Sequence, residues 1–411
     1  MGTSITITIC ALLLIAYLFD LSASKTKIPS VILLLLLGWM VREITHLIHL
    51  ELPDLFPVLP VLGTIGLILI VLDGSLELEL NKSKYRLVVK TFMGSLLPML
   101  GSAFVIAWLL HYFGHGTFKN CLVNAIPFCV ISSAIAIPSV RTLDASIREF
   151  VIYESSFSDI LGVLFFNFIS LNEHYDFVSF GNFGLELIVM IIVSFIATVA
   201  LSFLLSKIEH HIKFVPIILL VILIYEVSKV FHLPALILIL LFGLFIGNLD
   251  ELKNVKWLRR FKPEELEPEV IRFKELIIEA AFLVRALFFL LFGYLLKKSE
   301  ILNYNTIMGA VVVVVIIFFL RYMQVKMSGL PIIPLLFIAP RGLITILLFL
   351  SIPAAQQIPF INRSLVIQVV IITAFIMMIG LILTRERQQP PSQAIVTPPA
   401  IFDAPEPPPA D

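Results

Sequence analysis

Charge is what this sequence has least of: Asp, Glu, Lys and Arg make up only 14% of its 411 residues, against 59% hydrophobic. That excludes an ordinary soluble globule, and with it a nucleic-acid binder, which needs a basic surface. Strand-like alternation of apolar and polar residues is absent, which excludes a transmembrane β-barrel. Cysteine is rare: Cys10, Cys121 and Cys129 have no CxxC spacing and read as small buried residues rather than disulfides or ligands. No HExxH occurs, and the acids have no nucleophile and base beside them, so the chain is not expected to be an enzyme. No Lys or Arg precedes the first apolar run, so no cleaved signal peptide is expected. The opening MGTSIT fits a myristoylation pattern, but it leads straight into a span expected to begin outside.

What the chain has is apolar runs of about 20 residues, the length an α-helix needs to cross a bilayer. Thirteen are expected, at 4–20, 28–48, 57–76, 87–111, 119–141, 148–171, 182–206, 214–231, 234–249, 274–297, 303–325, 330–355 and 364–384. The fold class is therefore an all-α polytopic membrane protein. An odd number of spans puts the termini on opposite sides. Of the 29 Lys and Arg, 20 fall on the side of the loops after spans 1, 3, 5, 7, 9 and 11 and of the C-terminal tail, and six on the other. By the positive-inside rule the N-terminus is outside and the C-terminus cytoplasmic, in a cell (plasma or inner) membrane.

Little remains for soluble parts. The loop at about 249–273 carries both signs and reads as a solvated connector or interfacial helix. The tail, 385–411, holds eight of the 24 prolines and is too polar to fold alone. His111 and His115 have i, i+4 spacing but no third ligand, and read as polar loop residues.

An ionisable group near the bilayer centre costs about 2.5–3.5 kcal/mol on insertion scales, so each needs a partner, a wet cavity or a function. Six qualify: Asp73, Glu154, Asp159, Arg285, Arg321 and Arg341. Asp20, Glu226 and Lys229 lie near span ends and are expected to snorkel. In YESSFSDIL (153–161), Glu154 and Asp159 are turned about 140° apart, so they cannot share a partner. Ser155, one turn before Asp159, and the adjacent Ser158 make an oxygen cluster suited to a hard monovalent cation. Buried salt bridges that only fix helix register are the competing reading.

Two spans are interrupted. SSAIAIPS (132–139) in span 5 places Ser132, Ser133 and Pro138 within an apolar run, and IAPRGLIT (338–345) in span 12 places Pro340, Arg341 and Gly342 there. Interruptions seven spans apart point to inverted repeats whose discontinuous helices cross at midplane. The repeats would be about 1–171 and 214–384, linked by the helix at 182–206, within a transmembrane domain of 1–384.

These residues resemble the monovalent cation:proton antiporters, in particular the Na+/H+ exchanger (NhaP-like) branch. ESSFSD is similar to that branch's ESLLND, APRG to its GLRG, and LDGSLELEL (72–80) to its acidic segment ending span 3. LPALILILLFGLFIGN (233–248) and FFLRYM (318–323) are similar to its spans 9 and 11. The resemblance implies that Asp159 binds cation or proton with Ser155 as an oxygen ligand, that Asp73 borders the site, and that Glu154 pairs with Arg321. Arg341 would be structural or gating at the break, and Arg285 has no assigned partner, a pair with Asp73 standing against snorkelling or another partner. It also implies a homodimer, alternating access by one helical domain moving against another, and a part in pH homeostasis. Transported Na+, or Li+ or K+, and H+ would be the only small partners, with no cofactor. With one free carboxylate, exchange would be electroneutral. Two departures stand out: the family's Asn is Ser158, and its Thr-Asp-Pro in span 5 is Ala136-Ile137-Pro138, closer to the potassium-efflux antiporters. A K+/H+ antiporter, a cation uniporter or channel, and a non-transporting receptor derived from the fold are the alternatives.

Overall fold

The computed structural model describes residues 2–26, 28–47, 55–78, 84–141, 143–172, 177–207, 214–231, 235–248 and 263–387. Their regular structure is helical, and no strand occurs among them. In chain order the helices are α1 (Gly2–Thr26), α2 (Ser30–Leu47), α3 (Val58–Glu77), α4 (Tyr85–Tyr112), α5 (Phe118–Ala125), α6 (Ser133–Ser139), α7 (Ala145–Leu171) and α8 (Phe177–Lys207). There follow α9 (Phe214–Val230), α10 (Leu236–Gly247), α11 (Pro263–Leu295), α12 (Lys298–Ile301), α13 (Tyr304–Met327), α14 (Ile332–Leu335), α15 (Leu343–Leu350) and α16 (Arg363–Arg387). Nine segments of the described residues are long and apolar enough to cross a membrane. The apolar runs expected from the sequence all fall on helices. Span 12 is not one of the nine because it is split into the short helices α14 and α15.

Two boundaries differ from expectation. Span 5 is interrupted at Cys129–Ser132, upstream of Pro138, which sits inside the last turn of α6. The unwound residues lie where side chains of other helices can take up their freed backbone groups, and Pro138 only ends the half-helix. The second part of the charged loop is not a connector but the beginning of α11, which starts at Pro263. The Pro-rich tail from Gln388 onward, and the loop at 249–262, lie outside the described residues. Cys10, expected to be buried, is exposed on α1, whereas Cys121 and Cys129 are buried.

Helices α2 and α3 pack on α11, α3 also packs on α10, and α10 packs on α8. A second group joins α4 to α7, α5 and α13, α13 to α16, and α6 to α7. Helix α3 is the seam, touching α6, α7 and α15 from its place in the first group. In a bilayer such packing cannot draw on water exclusion between helices and relies on close approach of small residues. At the α2–α11 crossing a Cβ on Gly38 would lie 2.1 Å from the Leu290 carbonyl oxygen, and one on Gly293 would lie 2.3 Å from that of Leu35. Backbone meets backbone there, so neither side can yield. Gly293→Val should therefore destabilise the protein by about 1–3 kcal/mol, the usual scale of overpacking. The check is the thermal midpoint of purified protein, with Gly184→Val as control, since nothing lies within 4 Å of a Cβ there; equal midpoints for the two variants would contradict it.

Candidate functional site

Where a helix breaks inside a membrane, its freed amides and carbonyls must find partners in the protein. After α5 and a single 3₁₀ turn (Ile126–Phe128) the chain unwinds, and the residues before α15 unwind likewise. The two unwound stretches meet: the Ser132 amide donates to the Pro340 carbonyl at 2.9 Å. Arg341 fastens them further. Its Nε donates to the Phe128 carbonyl at 2.5 Å, its Nη1 to Ala339 at 2.9 Å, and its backbone amide to Thr373 Oγ1 of α16 at 3.1 Å. The arginine is consumed by backbone carbonyls of both breaks. Gly342 is required by proximity, because a Cβ there would lie 2.8 Å from Ser132 Oγ and 2.6 Å from Ile135 Cδ1.

Asp159 stands beside this crossing, 1% exposed. Its Oδ2 accepts a hydrogen bond from Ser133 Oγ at the start of α6. Its Oδ1 is buried without a hydrogen-bond partner, and so are the hydroxyls of Ser132 and Thr345. A buried carboxylate oxygen left bare costs free energy unless a proton or a cation occupies it. The two serines expected beside Asp159 are employed differently. Ser158 Oγ accepts from the Ile131 amide at 2.9 Å, capping the unwound stretch, and Ser155 Oγ donates to the Ile152 carbonyl of its own helix at 3.3 Å. Ser133, which the sequence marks only as part of the break, is the residue whose hydroxyl reaches the carboxylate. Among the described residues no group of three His, Cys, Asp or Glu is placed to hold a metal ion.

Asp73, on α3, forms no hydrogen bond with Asp159, and its Oδ1 is likewise buried and unpartnered. It lines a cavity of about 560 Å³ together with Glu77, Ile137, Arg141, Tyr153 and Lys274. The cavity reaches Tyr153 on α7, six residues and so about 9 Å of helix short of Asp159. Between them α3 presses on α7, where a Cβ on Gly74 would lie 2.9 Å from Ser156 Oγ.

The family model described as the transmembrane part of sodium/hydrogen exchangers matches residues 10–385. The chain belongs to that family. Cation:proton antiport is thus its class of activity. Among solved structures it is similar to the sodium proton antiporter MjNhaP1 from Methanocaldococcus jannaschii at pH 8, at 19% identity and a TM-score of 0.66, over 94% of this chain and 97% of the other. An electron-microscopy structure of MjNhaP1 gives 20% identity and a TM-score of 0.64, over 94% and 96%. At such identities the likeness establishes the fold. No curated protein matches the chain.

In this exchanger the remaining intramembrane charges are paired. Glu154, the other buried acid of α7, is 1% exposed and Arg321 of α13 is 2% exposed. Arg321 Nη1 donates to Glu154 Oε1, and Nη2 donates to Oε2 at 2.7 Å, a bidentate fork. The same guanidinium donates through Nε to the Leu335 carbonyl at 3.1 Å and through Nη2 to Ile338 at 3.3 Å, so it also holds the first half of the broken span 12. Gln324 completes the set, accepting from Arg321 Nη1 at 3.0 Å and donating to Glu154 Oε1 at 3.3 Å.

Arg285 lies 3.7 Å from Asp20 Oδ1, and Asp20 also accepts from Ser30 Oγ at 3.2 Å and faces Arg141 at 3.8 Å. Asp20 is thus not a snorkelling end residue: it is drawn inward by a buried arginine on a helix that sequence spacing cannot relate to it. His111 lies in the last turn of α4, against the Gly116 carbonyl at 2.8 Å, and His115 is in the following loop, stacked on Phe360.

Removing one partner of a buried pair leaves the other charge uncompensated, at a cost of about 3–5 kcal/mol. Glu154→Ala and Arg321→Ala should each lower stability on that scale, and the double variant should lose markedly less than their sum. Thermal unfolding of all three tests this; additive losses would mean that the two side chains do not act as a pair.

Proposed function

We propose that Asp159 is the one exchangeable carboxylate of a monovalent cation:proton antiporter, Na+ being the first candidate cation and Li+ or K+ the others. The observation that carries this reading is the bare Oδ1 of a buried carboxylate beside two crossed helix breaks. A proton or a cation neutralises that oxygen, and each excludes the other, which couples their movements. Ser133 supplies an oxygen already at the carboxylate, and Ser155, one turn away on α7, supplies another on turning its hydroxyl. Asp73 borders the way in from the large cavity. Arg141, Arg148 and Lys274 on that cavity wall belong to the side richer in Lys and Arg, which favours an opening toward the cytoplasm.

Glu154 is balanced by Arg321 and Glu149 by Lys84, so one cation exchanges for one proton and the cycle moves no net charge. Alternating access would come from α4–α7 with α13–α16 moving against α1–α3 with α8–α11, the latter group forming a homodimer. The inverted-repeat reading, 1–171 against 214–384 about the linker helix, is supported by the packing. Exchanging each span for the one seven later turns the α4–α7 contact into α13–α16, and α2–α11 into α3–α10. Ala136 and Ile137 place no side-chain oxygen on α6, which is the feature favouring K+ as the second reading.

The test uses proteoliposomes with a preset pH gradient, to which Na+, Li+ and K+ are added separately. One of them should collapse the gradient with wild-type protein and none with Asp159→Asn, which should still purify as a folded protein. Exchange by Asp159→Asn at the wild-type rate would remove the proposal. Rates at saturating ions should not follow an imposed potential; one uncompensated charge would experience about 2.3 kcal/mol per 100 mV.

A further inference from the structure

A groove of about 480 Å³ opens between α4 and α13. Its walls are Val89, Met93 and Leu97 from one helix and Leu320, Met323 and Met327 from the other. At its mouth, where α4 begins and α13 ends, stand Tyr85, Arg86 and Lys90. The two cations are one helical turn apart and share a face. Lys84 is paired with Glu149 of α7, whereas among the described residues Arg86 and Lys90 have no acidic partner. The floor is polar and reaches the interior. Pro98 has no amide to offer the Gly94 carbonyl, and beside Gly94 lies Gln324, the residue bonded to both Glu154 and Arg321. A Cβ on Gly94 would lie 2.8 Å from Gln324 Nε2 and 3.4 Å from Glu154 Oε1, so the groove floor at Gly94 lies directly over the buried ion pair.

We propose that the groove binds one anionic phospholipid. Its phosphate lies on Arg86 and Lys90 at the membrane interface, and an acyl chain lies along Met93, Leu97 and Met323 over Gly94. Concavity and charge distinguish this place from the convex helix faces that lipid merely wets. Two unpaired cations at headgroup depth favour a lipid with net negative charge over a zwitterionic one, and basic pockets between membrane helices are the usual setting for such recognition. The bound chain covers Gln324 and keeps water from the Glu154–Arg321 pair, so the lipid braces the half of the molecule that carries Asp159. The inference is independent of which cation is exchanged.

The experiment compares dioleoyl phosphatidylglycerol with dioleoyl phosphatidylcholine, added to delipidated protein in detergent, by native mass spectrometry and by thermal midpoint. Wild type should retain one phosphatidylglycerol with about tenfold preference, given two cations near the headgroup, and only that lipid should raise the midpoint. Arg86→Gln with Lys90→Gln should lose the preference and the shift while still exchanging ions in phosphatidylcholine vesicles. Leu97→Trp, which fills the groove and leaves both cations in place, should lose the bound lipid as well. Equal retention of the two lipids by wild type, or an unchanged preference in the double variant, would overturn the proposal. So would a change of oligomeric state in Leu97→Trp, which would assign the groove to a second copy of the chain.

Discussion

A polypeptide inside a bilayer has no water to turn to, so each backbone group that leaves a helix must be answered by another part of the protein. Two spans here leave their helices at the same depth, and they answer one another: the amide of Ser132 is met by the carbonyl of Pro340. The surrounding polar residues follow from that constraint. Arg341 serves the carbonyls of Phe128 and Ala339, and Ser158 serves the amide of Ile131. Asp159 is deposited beside the crossing with one oxygen occupied by Ser133 and the other free. That oxygen is thus a remainder, an acceptor beside the crossing that the backbone accounting leaves open.

The charge pairs divide the labour around it. Glu154 and Arg321 tie α7 to α13, and the guanidinium extends to the carbonyls of Leu335 and Ile338, so three elements around the crossing are held by one side chain. Asp20, Arg285 and Arg141 form a second cluster linking α1, α11 and the residues just after α6. Each neutralises a cost that insertion would otherwise impose, and together they leave Asp159 as the α7 acid without a cationic partner.

Much of this was legible in the sequence, for reasons that differ by residue. The spans were readable because a bilayer imposes a minimum length on an apolar helix. The crossing was readable because Pro340, Gly342 and the serines of span 5 are costly inside an apolar run. Glu154 and Arg321 were assigned to each other through the resemblance of ESSFSD and FFLRYM, not by spacing. What the sequence could not give was who faces whom between helices distant in the chain. Asp20 finds Arg285 this way, and Ser133, rather than Ser155 or Ser158, turns out to reach Asp159. The sequence places the break of span 5 at 132–139, where its small polar residues and Pro138 lie, whereas the chain unwinds at Cys129–Ser132, where partners are available.

The role of Ser158 bears on how this fold tolerates divergence. Its hydroxyl is employed as an acceptor for one exposed amide, a task that an asparagine carbonyl performs equally well by its chemistry. The resembling motif of the family has asparagine there. What the position demands is hydrogen-bond valence at a fixed point in space, not a particular residue. A scaffold whose key positions are specified by valence can change most of its letters and keep its shape. The 19–20% identity shared with structures of such similar fold is the expected signature of that looseness.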